Sequence, residues 1–220
     1  MQFCRLGNKN ASGLINIKHV GMKRFCILMI TVILSGSLYA VTPDAENSNA
    51  KKEVLILVAH PDIASSKANA AMLQQIKNID FVQVINIYEA PFEPSTYTEA
   101  FREANHIVFQ FPFYWASAPH LLKKWCDEIF GAIMADPGIK GKTLTVATTT
   151  GSEYEAYRSG GRNMYTMDEL LRPYQLLANH SGMVWQTPFV LYGASLPDAE
   201  KRIKEGAPAY REKINSLVKK

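Results

Sequence analysis

From residue 53 onward the apolar positions fall into short unbroken runs that alternate with longer stretches of helical spacing. Val54 to Ala59 (VLILVA) and Ile107 to Phe111 (IVFQF) are too short for core helices and lack the polar alternation of a strand with one wet face; Thr143 to Thr148 (TLTVAT), rich in β-branched residues, continues the β-α alternation. They predict strands covered on both sides. Phe81 to Tyr88 predicts the second strand in chain order, and Met183 to Trp185 with Phe189 to Leu191 the last strand region. Between them the spacing predicts helices from about Lys67 to Lys77, Thr98 to Ala104, Ala118 to Ile133, Asp168 to Ala178 and Asp198 to Val218. In the third helix Ala118, Leu122, Trp125, Ile129 and Ile133 share one face. Lys123/Asp127 and Lys124/Glu128 pair on the other, Ser117 is the expected N-cap, and Pro119 sits in the first turn. Strands alternating with helices predict an α/β three-layer sandwich around a five-stranded parallel sheet.

A strand order of 2-1-3-4-5, the flavodoxin-like arrangement, sets the loops 60–66, 112–117 and 149–163 side by side at the carboxyl ends of neighbouring strands, where open α/β sheets bind ligands. The first loop carries His60, Ser65 and Ser66, and Lys67, Ala68 and Asn69 open a helix whose free N–H groups and dipole favour an anion. It has neither the G-x-x-x-x-G-K-[ST] nor the G-x-G-x-x-G pattern, which argues against ATP and against a dinucleotide held in Rossmann fashion. Its hydroxyls suit one phosphate; a plain helix cap by Ser65 or Ser66 is the alternative. The second loop, Pro112-Phe113-Tyr114-Trp115, offers three consecutive aromatics as an apolar platform for a planar ligand. In the third, Thr148 to Ser152, hydroxyls surround a glycine that lets backbone approach a ligand, which suits negative charge developing on a reduced heterocycle. Tyr154, Tyr157, Gly160, Gly161, Arg162 and Asn163 continue it as a segment that either covers the site or is an ordinary mobile loop. The five histidines are scattered and only His60 lies on a ligand-facing loop, so neither a metal cluster nor a Ser-His-Asp arrangement is expected.

The first forty residues differ in kind. They hold five cations (Arg5, Lys9, Lys18, Lys23, Arg24) and no acid, then an apolar run from Phe25 to Leu34, then small or polar residues to Ala40. That is the order of a secretory signal peptide over residues 1–40, with cleavage expected after Ala40 and Met22 as an alternative start. An uncleaved anchor is the other reading, although the apolar run is short for a bilayer span. Removing five of the 24 cations leaves 19 Lys and Arg against 20 Asp and Glu, so the basic balance belongs to the leader and implies no nucleic-acid partner. Cys4 and Cys26 lie in the same segment. Cys126 is then alone on a helix, which excludes an intrachain disulfide and reads as a packed residue rather than a nucleophile. Residues 41–52 read as a polar linker and 53–220 as one domain. A cleaved leader implies a periplasmic or secreted protein, and an uncleaved one a membrane-anchored or cytoplasmic protein.

The stretches VLILVAHP, SKANAAML, FQFPFYWASAPHLLKKWCDEIF, ATTTGSEYEAYRSGGRNMYTMDELLRPYQ and GMVWQTPFVLYGA resemble the flavodoxin-like NAD(P)H oxidoreductase family, which includes the quinone reductases and the ancillary flavoproteins of glutathione-gated potassium efflux. The resemblance runs from about Val54 to Ala194. It implies bound FMN, with FAD as the alternative, NAD(P)H as electron donor, quinone-like acceptors, two-electron transfer by hydride, and a homodimer with the flavin near the subunit interface. By motif, His60, Ser66, Lys67, Ala68 and Asn69 are expected around the flavin phosphate or ribityl chain. Pro112, Phe113, Tyr114 and Trp115 are expected along the isoalloxazine ring, and Thr149, Thr150, Gly151 and Ser152 at its pyrimidine edge. Tyr157 falls where mammalian-type quinone reductases have a tyrosine beside the flavin and is the expected proton donor. Asn163 stands where those enzymes have a histidine, and Ser152 where the usual pattern has a second glycine. A flavin-binding regulatory subunit of a membrane transport system, with a membrane partner, and a flavodoxin-type electron carrier remain as alternatives.

Overall fold

The computed structural model describes residues 51–219; the expected leader and most of the linker lie outside the described residues. The chain runs β1 (Val54–Val58), α1 (Lys67–Ile76), β2 (Val82–Asn86), α2 (Ser95–Glu103), β3 (His106–Pro112), α3 (His120–Trp125), a π-helical turn Cys126–Phe130, and α4 (Gly131–Met134). It continues through β4 (Thr143–Thr149), α5 (Met167–Leu170), α6 (Arg172–His180), β5 (Val184–Trp185), β6 (Phe189–Leu191) and α7 (Ala199–Val218). The sheet is parallel in the expected order, β2-β1-β3-β4, and its fifth position is filled by two short pieces, β5 and β6, both paired with β4. Pro188 lies between those pieces, and a proline has no N–H to give to a ladder.

Strand parity sorts the core into two layers. Leu55, Leu57, Ile107, Phe109, Phe111, Leu144 and Val146 pack against Tyr97 and Phe101 of α2 and Leu122 and Trp125 of α3. Val54, Ile56, Val58 and Val108 pack the other way, against Met72 and Ile76 of α1 and Ile203, Tyr210 and Ile214 of α7. Trp125 anchors the first layer, with its ring 5.3 to 5.9 Å from those of Tyr97, Phe101, Phe109 and Phe130. Such pairs add about 0.5–1.5 kcal/mol each beyond the burial of their area.

Two local expectations are corrected. Ser117 does not cap the third helix, which starts at His120 behind Pro119 with no side-chain cap. Its backbone is taken instead by Tyr114: each N–H donates to the other's carbonyl, at 2.8 and 2.9 Å, closing a two-residue turn over Trp115 and Ala116. The helix expected over 168–178 is two helices broken at Leu171. A capping box of Thr166 and Glu169 opens the first, and Pro173 lies in the first turn of the second, where a proline starts a helix well and continues one badly.

Candidate functional site

The three loops meet in one cleft of about 490 Å³ at the carboxyl ends of β1, β3 and β4. In the first, His60 is buried and its Nδ1 accepts the Asp62 N–H at 3.1 Å, so the neutral ring carries its proton on Nε2. Burial holds its pKa below the ordinary histidine value, with the Asp62 charge working the other way. Asp62 Oδ1 in turn accepts the Ser65 N–H at 3.2 Å. Ser66 caps α1: its Oγ accepts the Asn69 N–H at 3.2 Å and its carbonyl the Ala70 N–H at 3.3 Å. Of the four N–H groups that a helix start leaves without intrahelical partners, those of Lys67 and Ala68 then have no hydrogen-bond partner among the described residues, and both residues line the cleft. The Lys67 ammonium is turned away to Glu200 at the start of α7, 3.1 Å distant.

The second loop gives Pro112, Phe113 and Tyr114 to the cleft wall. The Phe113 N–H donates to Thr149 O at 2.8 Å, fixing the loop to β4, and the Tyr114 ring meets His60 edge-on at 6.4 Å. Trp115 is not in the wall. It and Ala116 form the tip of the two-residue turn with left-handed backbone, φ +45° and +63°, and the indole is wholly exposed. A turn with positive φ at both central residues is ordinarily made by Asn-Gly or Gly-Gly.

In the third loop Thr149, Thr150 and Gly151 line the cleft. Thr149 Oγ1 accepts from Asn69 Nδ2 at 3.1 Å, joining the third loop to the first. A Cβ on Gly151 would come within 3.0 Å of Ser195 Oγ, so the glycine lets this wall close. Ala194 and Ser195 complete the wall, held by bonds from their N–H groups to Thr150 O (2.8 Å) and Gly151 O (3.2 Å). The sequence reading missed this fourth segment; its signal was the small-residue run Gly193-Ala194-Ser195 just after the last strand. Also missed was the buried chain beneath the cleft. Tyr210 OH donates to Gln110 Oε1 at 2.9 Å, and Gln110 Nε2 donates to Asn69 O at 3.2 Å, which orients the residue that ties the loops together.

Ser152 and Tyr157 stand just behind the wall. Tyr157 is half-buried, its ring edge-on to Phe113 at 6.1 Å and 6.0 Å from that of Tyr192. Burial pushes the phenol above its ordinary pKa, while Ser152, the Arg162 charge and Asn163 pull it back. Ser152 Oγ accepts from Arg162 Nη2 at 2.8 Å. The segment 152–166 is folded on itself: Asn163 N–H donates to Ala156 O at 3.0 Å, and Gly161 passes so close that a Cβ would lie 2.3 Å from Glu155 O. Cys126 is remote on the helix side, its thiol pushed up to about 12 by burial and thus protonated at neutral pH.

The sequence matches the flavodoxin-like fold family over residues 52–214. It is 34% identical to the uncharacterized NAD(P)H oxidoreductase YdeQ of Bacillus subtilis (strain 168) over 75% of this chain and 87% of that protein. It is 35% identical to the glutathione-regulated potassium-efflux system ancillary protein KefG of Yersinia enterocolitica over 74% of this chain and 93% of the other. Among solved structures, an NADPH-quinone reductase from P. pentosaceus superposes with a TM-score of 0.63 at 27% identity, covering 73% of this chain and 96% of that one.

Proposed function

This chain belongs to the flavodoxin-like fold family, and we propose that it is a flavin-dependent NAD(P)H oxidoreductase passing two electrons by hydride to quinone-like acceptors. The observation that carries this reading is the convergence of an anion-ready helix start, an aromatic wall and a hydroxyl-and-glycine wall in a single cleft. Its volume is within the range of about 300–1,000 Å³ usual for ligand pockets.

The residues present fit FMN. The N–H groups of Lys67 and Ala68, with Ser65, Ser66 and the Nε2–H of His60, would hold one phosphate, which favours FMN over FAD. Phe113 and Tyr114 would lie along the ring system, and Thr149, Thr150 and Gly151 at its polar edge. The bound flavin supplies hydride chemistry. The chain's own part is to orient donor and acceptor on an apolar wall, exclude water with Phe113 and Tyr114, and hold the Tyr157 phenol behind Phe113, where it would serve as a proton source.

Further features support a homodimer. Trp115, Tyr114, Met164 and Tyr165 are exposed on loops at the site end. An indole in full water on a left-handed backbone is accounted for when a second copy covers it, with the flavin near the interface. The expected leader, if cleaved, delivers the domain outside the cytoplasm; N-terminal sequencing of the purified protein should begin at Val41. Among the described residues no helix is long and apolar enough to cross a membrane.

The test is an absorbance spectrum of the chain reconstituted with FMN, before and after anaerobic NADH or NADPH. Bleaching of the flavin band, reversed by a quinone, is expected; failure to bind flavin overturns the reading. The 35% identity to KefG favours one second reading, a flavin-binding regulatory subunit of a transport system, for which flavin would bind without NAD(P)H turnover.

A further inference from the structure

Behind the cleft, four side chains form a cluster that no lining role absorbs. Ser152 directly follows Gly151, which is in the wall, and its Oγ is taken by Arg162 Nη2 at 2.8 Å. Tyr157 packs edge-on against Phe113, also in the wall, and feels Ser152, Arg162 and Asn163 at its phenol. The segment that carries Arg162 is pinned there by Gly161, whose missing Cβ allows it to cross Glu155 and Ala156, and by the Asn163 N–H on Ala156 O. This folding brings a guanidinium to the back of the Thr149–Ser152 loop. The other cations near the site are otherwise engaged: Lys67 with Glu200 at 3.1 Å, Arg202 with Asp198 at 2.8 Å, and Arg158 over the Tyr154 ring at 5.6 Å. Arg162 has one carboxylate near it, Glu153 at 3.7 Å, which is ion-pair distance but longer than the bond to Ser152.

We propose that Arg162, held through Ser152 Oγ, is a positioning residue that stabilises the negative charge arriving at the pyrimidine edge of the cofactor when it is reduced, and so raises its reduction potential. The inference deepens the flavin reading above and rests on it. The physics is a fixed positive charge behind a polar wall. It interacts more strongly with the reduced, more negative form than with the oxidised one, and a guanidinium never titrates in the working range. Arg162 is itself exposed and Glu153 offsets part of its charge, so the effect is modest. Ser152 acts as the bridge: its hydroxyl accepts from Arg162 and leaves its proton for Tyr157 or the cofactor.

The test is spectroelectrochemical titration of the full chain loaded with FMN, comparing wild type with Arg162→Met, Arg162→Lys, Ser152→Gly and Glu153→Gln. Arg162→Met should lower the affinity for reduced relative to oxidised FMN about five- to tenfold, a shift of about 20–30 mV to more negative potential at ~30 mV per tenfold for a two-electron couple. Arg162→Lys should recover most of it, since the charge is kept. Glu153→Gln should move the potential the opposite way, and Ser152→Gly combined with Arg162→Met should add little to Arg162→Met alone. A merely structural role would change FMN affinity in both redox states and would not give opposite signs for Arg162 and Glu153. FMN bound by wild type and Arg162→Met with the same potential overturns the role of Arg162 and leaves the flavin reading standing. A wild-type chain that binds no FMN overturns both.

Discussion

The two ends of the sheet are made by the same strands and treat loose backbone groups in opposite ways. At the amino end the chain closes on itself. Lys142 Nζ donates to the carbonyls of Arg102 and Ala104, a His106 ring nitrogen pairs with Thr143 Oγ1 at 2.8 Å, and the left-handed positions are glycines, Gly141 and Gly182, joined by an N–H to carbonyl bond of 2.9 Å. At the carboxyl end two helix-start N–H groups lack partners. Glycines take some of the left-handed backbone there, at 160 and 193, but so do Trp115, Ala116 and Met164, the three non-glycine cases among the described residues. Each such residue costs about 1–3 kcal/mol. Non-glycine left-handed backbone at three positions, beside a helix start with free N–H groups, marks the carboxyl end as the one that a ligand or a second copy completes.

Gln110 lies between the ends and should give the largest effect. Gln110→Leu strands the buried Tyr210 hydroxyl and removes the donor that orients Asn69, and should cost about 1–3 kcal/mol in urea unfolding while loosening flavin binding. Unchanged stability would make the chain of bonds a passive feature. Lys142→Met comes next. It removes a cation from two carbonyls at the amino end and should cost about 1–3 kcal/mol with no change in flavin affinity. An equal loss of flavin affinity would show that the two ends are not separable.

The fold was legible because both sheet faces are buried. A continuous apolar run such as VLILVA has one reading when helical patterns alternate with it, and the order of the loops follows from the topology. Most of the cleft was legible for the same reason, since His60, Ser66, Phe113 and Tyr114 follow strand ends and Thr149 is the last residue of β4. Features set by backbone pairing were not. Ser117 looks like a cap in the sequence, but whether its backbone is free depends on Tyr114 turning back to meet it, which no local pattern encodes. Gln110 reads as one more residue of a buried run, and only the register of β3 against α1 and α7 makes it a bridge. Ser195 enters the wall because Gly151 lies opposite, a contact across 44 positions of sequence.

Two substitutions at the site end sharpen the comparison at smaller cost. Ser66→Ala removes the cap of α1 and should lower stability by about 1 kcal/mol, while fluorescence titration shows a larger effect on flavin, about tenfold weaker binding. A loss of stability without loss of affinity would reduce Ser66 to a cap. Trp115→Gly should leave the stability of the monomer within about 0.5 kcal/mol, because no packing is lost and the left-handed backbone is relaxed. Sedimentation should show weakened dimers. A stable, unaltered dimer would remove Trp115 from the interface.

The finest comparison is between the buried His60 and the half-buried His106. Burial lowers the pKa of both His60 and His106 below the usual value of about 6.5. Below that pH the unfolded chain takes up protons that the folded rings refuse, so each contribution is complete above pH 6.5 and stability falls as the pH drops from 6.5 towards the folded values. Without ligand, His60→Gln and His106→Asn should each flatten the acid limb of a stability–pH profile. With FMN the ends should part. The phosphate expected at the start of α1 places negative charge near His60 and offsets its cost of protonation, while His106 at the far end of the sheet is untouched. In the loaded protein, therefore, His106→Asn should still flatten the acid limb and His60→Gln should do so less. If FMN leaves both differences unchanged, the phosphate does not sit beside His60, and the anion-binding role of the first loop is wrong.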